Sequence, residues 1–177
     1  MTDDPRPRIY VASLNDYSAG RLHGIWINAA QEPGGIWASV AGMLAASPEP
    51  GAEEWAIHDH DGFGPVTLGE YEDLTLVAAL GIGIVRHGTA FAVWAQYLGR
   101  DQWRADLDKF EDAYQGCWSS ETEYAEDVLD GLSFDPDKPA GGPLGEYLHF
   151  DLAAFARDLA ADYAVIAHDG QIYVFEP

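Results

Sequence analysis

His58, Asp59, His60 and Asp61 form the one run in this sequence whose residue types suit a metal ion, two imidazoles interleaved with two carboxylates. Such a site would serve a metal-dependent hydrolase. The spacing works against it, because at the period of a strand both histidines face one side and both aspartates the other. Further ligands would have to come from residues such as His23 or His87, and no HExxH or comparable spacing supplies them. Neither a metal nor another cofactor is expected. Gly81, Gly83 and Gly88 lack the strand-to-helix spacing of a phosphate loop, and no GxSxG marks a nucleophilic serine. Cys117 lies in an acidic block, the opposite of the electropositive surroundings that activate a thiol. No catalytic residue is assigned, and the chain does not read as an enzyme.

The chemistry this sequence does hold in quantity is negative charge. Thirty Asp and Glu against nine Lys and Arg leave a formal charge of −21 on 177 residues that are also 47% hydrophobic, with six Trp and nine Tyr. A chain so rich in apolar and aromatic residues folds; its charge belongs to a surface. The resulting field repels nucleic acid and anionic membranes and steers the molecule toward partners with a basic groove. A solvated surface kept for solubility accounts for any single carboxylate but less well for unbalanced rows. One block runs through Glu49, Glu53, Glu54, Asp59, Asp61, Glu70, Glu72 and Asp73 without a basic residue. A second holds Asp101, Asp106, Asp108, Glu111, Asp112, Glu121, Glu123, Glu126, Asp127, Asp130, Asp135 and Asp137, offset only by Arg104 and Lys109. Phosphates occur once per about 1.7 Å of duplex axis, so thirty carboxylates spaced like them would span at most on the order of 50 Å.

The elements that must carry these groups follow from periodicity. Arg8 to Leu14 and His23 to Ala29 read as strands separated by a turn-forming cluster, Asn15, Asp16, Ser18 and Gly20. Ile36 to Ala46 reads as a helix stopped by Ser47, Pro48 and Pro50, and Trp55 to His58 as a short third strand. Residues 73–98 read as two helices broken at His87 and Gly88; further helices are expected over Asp101 to Tyr114 and Ser120 to Leu132. In the last of these, Ser120 and Glu123 fit a capping box, and Ala125, Val128, Leu129 and Leu132 make an apolar face opposite Glu123, Glu126, Asp127 and Asp130. Pro136, Pro139, Gly141, Gly142 and Pro143 make a loop. Asp151 to Ala161 reads as helix, and Tyr163 to Ala167 with Gln171 to Phe175 as a hairpin about Asp169 and Gly170. The expected class is α+β, with α+β units at 1–65 and 110–177 flanking a mainly helical middle, 66–109. The hairpin, short and apolar, would leave an exposed edge unless a second copy pairs with it. One cysteine rules out an intramolecular disulfide and fits the cytoplasm, and no stretch is long and apolar enough for a membrane span.

The runs RIYVASLNDYSAGRLHGIWINA (Arg8 to Ala29), FEDAYQGCWSSETEYAEDV (Phe110 to Val128) and FDLAAFARDLAADY (Phe150 to Tyr163) followed by HDGQIYVFEP closely resemble the ArdA antirestriction proteins. The resemblance spans nearly the whole chain. It implies a DNA mimic that blocks type I restriction-modification enzymes by occupying the DNA-binding groove of their specificity and methyltransferase core. It also implies an elongated protomer of small domains and a homodimer formed through the C-terminal domain. The stretch from Asp151 to Tyr163 is similar to the family's antirestriction motif, with Phe155, Ala156, Arg157, Leu159, Asp162 and Tyr163 matching. Within it Arg157 and Asp158 read as a structural or dimer-interface ion pair, or as a direct contact to the partner. This sequence departs from the pattern at Ser18, where Asn is usual, and in the acid-poor segment from Val77 to Trp94. The alternative in a different class is an acidic adaptor or chaperone for a basic protein.

Overall fold

A computed structural model describes residues 6–138, 141 and 145–177. The chain is a mixed α+β protein that divides into two compact units, Met1–Asp108 and Lys109–Pro177.

The first unit is built on a sheet of β1 (Arg8–Ser13), β2 (Gly24–Asn28) and β3 (Trp55–Asp61), antiparallel throughout and ordered β2-β1-β3. Ile9 and Val11, alternate residues of the central strand, are fully buried, as one covered face requires. That face is packed by α2 (Pro33–Ala45), on which α3 (Leu74–His87) packs in turn, and the two helices supply Ile36, Val40, Leu74, Val77 and Leu80 to the core. Pro33 starts α2 three residues ahead of the apolar stripe, since proline at the first helical position has no amide hydrogen to leave unbonded. Gly88, with φ of 65°, ends α3 and begins α4 (Thr89–Leu98), the break expected there. Gly81 and Gly83 lie inside α3 and serve packing: a Cβ at Gly81 would stand 2.6 Å from the backbone of Ala29, and one at Gly83 2.3 Å from the ring of Phe91.

In the second unit β4 (Tyr114–Trp118), β5 (Ala164–His168) and β6 (Gln171–Phe175) form an antiparallel sheet ordered β4-β6-β5. The β5–β6 turn runs through Asp169 and Gly170, both with positive φ, as the Asp-Gly pair requires. Helices α7 (Glu121–Gly131) and α8 (Leu152–Asp162) pack on each other, α7 against β4 and α8 against β5. Tyr124, Ala125, Leu129, Ala156, Val174 and Phe175 are buried in its core, with Phe110, Ala113 and Tyr173.

Several expectations need correction. The segment after Asn15 is not a loop but a short helix, α1 (Leu14–Ser18), whose N-cap Ser13 accepts a hydrogen bond from the Asp16 amide. The expected helix over Asp101 to Tyr114 is instead a chain of short pieces, 3-10 turns at Arg100–Gln102 and Leu107–Lys109 alternating with α5 (Trp103–Asp106) and α6 (Phe110–Ala113). Tyr114 then opens β4, a strand the periodicity did not reveal. Leu132 is 70% exposed and lies past the end of α7, so its apolar face is Tyr124, Ala125 and Leu129 with half-buried Val128. Of the expected proline-glycine loop, residues 139–140 and 142–144 lie outside the described residues.

Candidate functional site

The acidic residues fall into two kinds, those bound into the fold and those facing solvent. Asp61 belongs to the first: both Nε and Nη2 of Arg8 donate to its Oδ2, at 3.1 and 2.9 Å, while the Arg8 guanidinium lies 4.6 Å from the centre of the Trp26 ring. Glu72 is almost fully buried, forms an ion pair with Arg100 at 3.0 Å and accepts from the Gly69 amide at 3.2 Å. Asp73 caps α3 by accepting from the Thr75 amide at 2.8 Å and pairs with Arg104 at 2.6 Å. The Thr75 hydrogen bond, followed by the Arg104 guanidinium, holds the Asp73 carboxyl below the usual range. Asp59 and Glu70 remain exposed, although Asp59 Oδ1 accepts from the His60 amide at 2.8 Å.

His58 and His60 do not act together. The β1–β3 register slips between Tyr10 and Val11, so that Val11 pairs with Ile57, Tyr10 with Asp59, and His58 stands in a bulge. The strict alternation expected of this strand is therefore broken. The His58 ring meets Tyr17 edge-on at 5.1 Å, whereas His60 meets Phe63 at 5.9 Å. Among the described residues no group of three metal-capable side chains gathers anywhere.

Along the stretch that joins the units, Asp101, Asp108, Glu111 and Asp112 are exposed and Asp106 is half-buried. On α7 the first turn carries Glu121 and Glu123, where a carboxylate favourably faces the positive end of the helix dipole. Ser120 caps the helix by accepting from the Glu123 amide at 3.2 Å, but the expected box is shifted by one residue. The Glu123 carboxylate takes the amide and hydroxyl of Ser119, at 2.6 and 2.5 Å, and these bonds lower its pKa. Glu126, Asp127 and Asp130 are all exposed, on the side away from Tyr124, Ala125 and Leu129, with no ion pair among the described residues.

In the C-terminal stretch, Asp151 caps α8 by accepting from the Ala154 amide at 2.9 Å. Phe155 is half-buried against Phe150, with ring centres 5.5 Å apart, and Tyr163 packs edge-on to Tyr124 at 6.1 Å. Arg157, Asp158 and Asp162 are exposed, and neither Arg157 nor Asp158 has an ion-pair partner among the described residues. Cys117 is half-buried opposite Tyr173, whose pKa is pushed up to about 12 by burial and then by the neighbouring thiol.

Residues 9–173 match the family model described as antirestriction protein (ArdA). The chain belongs to the ArdA family. The match takes in both units and every carboxylate described above, from Asp59 to Asp162. A search of curated proteins found no match. Membership of an antirestriction family implies interaction with restriction enzymes. Among the described residues no helix is long and apolar enough to cross a membrane.

Sequence reasoning passed over Trp37, which stands beside the Ile36, Val40 and Met43 stripe of α2 and is 49% exposed. Helical phase was the available signal: a residue directly after Ile36 turns about 100° away from the buried face.

Proposed function

We propose that this ArdA-family protein inhibits type I restriction-modification enzymes by offering carboxylates, in place of DNA phosphates, to the groove of their specificity and methyltransferase core. The observation that carries the reading is the outer face of α7. Glu123, Glu126, Asp127 and Asp130 stand three and four residues apart, where like charges repel and each pair costs a helix about 0.2–0.5 kcal/mol. Nothing basic in the described part of the fold offsets Glu126, Asp127 or Asp130. A face tuned for stability alone would mix signs; a groove lined with Lys and Arg compensates this one from outside. Exposed Asp101, Asp108, Glu111 and Asp112 add to the same field, and the net charge of −21 steers the encounter. Asp61, Glu72 and Asp73 contribute less, because arginines of the chain itself already neutralise them.

The inhibitor acts as a homodimer through the unit that holds Asp151, Phe155, Arg157, Asp158, Asp162 and Tyr163. Strand β5 supports this, since it ends the β4-β6-β5 sheet and presents an unpaired edge. Inhibition by occupancy requires no catalysis, metal or cofactor and no binding of nucleic acid by this protein. The test is a titration of purified type I methyltransferase with this protein against a duplex DNA competitor. Mutually exclusive binding is expected. A ternary complex of enzyme, DNA and this protein, or equal affinity for unrelated basic proteins, would replace mimicry with the acidic-adaptor reading.

A further inference from the structure

In the first unit a cleft of about 660 Å³ is lined by Trp37, Trp55 and Tyr71 together with Glu53, Glu54, Glu72 and Asp73. The indoles of Trp37 and Trp55 meet edge to face, with ring centres 5.7 Å apart and planes at 87°, so two walls of the cleft stand at right angles. Tyr71 is 71% exposed, far more than a ring contributing to the core. Two of the four carboxylates are already occupied by guanidinium groups of the chain, Glu72 by Arg100 and Asp73 by Arg104. Glu53 and Glu54 are exposed and have no ion pair among the described residues. The cleft thus combines open aromatic surface with two uncompensated negative charges.

We propose that this cleft seats an arginine side chain of a partner protein, its guanidinium lying against the exposed rings of Trp37 and Tyr71 beside the Trp37–Trp55 pair and its charge balanced by Glu53 and Glu54. A cation is attracted to an indole face and to carboxylates at once, and neither feature alone distinguishes a cation site from an ordinary surface. Arginine fits better than lysine. Its guanidinium is planar, sheds water more readily than an ammonium, and stacks on flat rings while its edge donates to carboxylates. The volume exceeds one side chain and leaves room for the backbone beside it. The proposal is independent of the reading of α7 as a phosphate mimic, because it needs only a partner that presents an arginine.

The experiment uses the full chain, labelled so that the indole N–H signals of Trp37 and Trp55 are resolved by NMR, each assigned through a Trp→Phe variant. The probes are three capped tripeptides, Gly-Arg-Gly, Gly-Lys-Gly and Gly-citrulline-Gly, the last a neutral isostere of arginine. The arginine peptide should shift both indole signals saturably at low ionic strength, with a Kd in the range of about 1–10 mM fitting a single side chain. The citrulline peptide should bind at least about 10-fold more weakly, and the lysine peptide should fall between them. Glu53→Gln with Glu54→Gln, both at exposed positions, should narrow the difference between arginine and citrulline to about that of the cation–π contact alone while leaving the rest of the spectrum unchanged. Absence of any shift at Trp37 and Trp55, equal binding of citrulline, or tighter binding of lysine would each overturn the assignment. A parent chain that binds the arginine peptide yet fails to inhibit the restriction enzyme would instead indict the reading of α7.

Discussion

Arg100 closes over the carboxylate of Glu72 at 3.0 Å, from a 3-10 turn 28 positions further along the chain, and leaves Glu72 only 8% exposed. The pair fastens the turn before α3 to the turn after α4. The Gly69 amide donates to the same carboxylate at 3.2 Å and so belongs to the clasp. Glu72→Ala should lower stability by roughly 2–4 kcal/mol, at or below the range for a fully buried pair because Arg100 is half exposed. Urea denaturation measures this, and an unchanged midpoint would show the pair to be ornamental.

Removing charge from α7 should do the reverse. Glu126→Gln, Asp127→Asn and Asp130→Asn together relieve the repulsion along the helix, so the melting temperature should hold or rise. Inhibition should weaken by about 10-fold to 100-fold, as the loss of three screened ion pairs implies. A folded variant with an unchanged inhibition curve would take this helix out of the proposed surface.

Binding should also respond to salt. Between about 0.01 M and 0.15 M ionic strength the Debye length shrinks from about 30 Å to about 8 Å, and affinity for the enzyme should fall with it. The slope should be shallower than for duplex DNA, which releases more condensed counterions on binding. An affinity constant across this range would contradict a charge-based contact.

On the acid side, Asp73 and Glu123 set a sign. Hydrogen bonds from the Thr75 amide and Arg104, and from Ser119, lower their folded pKa values. The unfolded chain therefore takes up protons first as the pH falls. The stability they supply is complete above about pH 5 and is lost as the pH drops through the ordinary carboxylate range toward the lowered folded values. Melting curves between pH 7 and pH 3 should fall less steeply for the Asp73→Asn, Glu123→Gln variant than for the parent chain. Parallel curves would mean that neither bond survives in solution.

Sedimentation equilibrium at micromolar concentration should give a dimer. If β5 provides the contact, Ala167→Lys at its exposed edge should yield a folded monomer, since an edge lysine blocks strand addition. A monomeric parent chain would end the proposal; a dimeric Ala167→Lys variant would move the interface elsewhere.

Much of this fold was legible because its signals are local. The β1 and β2 runs, the break at Gly88 and the Asp169–Gly170 turn each depend on neighbouring residues. β4 was not legible, since YQGCW owes its extended form to β6, some 55 residues away, and contains Gly116 at φ of 150°. Between Asp101 and Tyr114, Trp103, Leu107 and Phe110 repeat with helical spacing, which invited a single helix. The fold has a unit boundary after Asp108, with Leu107 buried before it and Phe110 packed against Phe175 after it, and short turned pieces serve two cores where one straight helix could not. The acidic rows could be read from composition, but not which members are neutralised. Arg100 and Arg104 find Glu72 and Asp73 only through the fold.

The two sheets are wired in opposite temporal order. In the first, the central strand β1 is synthesised before both of its neighbours, so β2 and then β3 can add to a template already present. In the second, the central strand β6 is synthesised last, and neither β4 nor β5 has a hydrogen-bonded neighbour in the sheet until it arrives. The first unit can therefore assemble progressively as the chain emerges from the ribosome, whereas the second must wait and close in one step. Clipping within Gln171–Phe175 would accordingly remove not an edge but the strand that joins the other two.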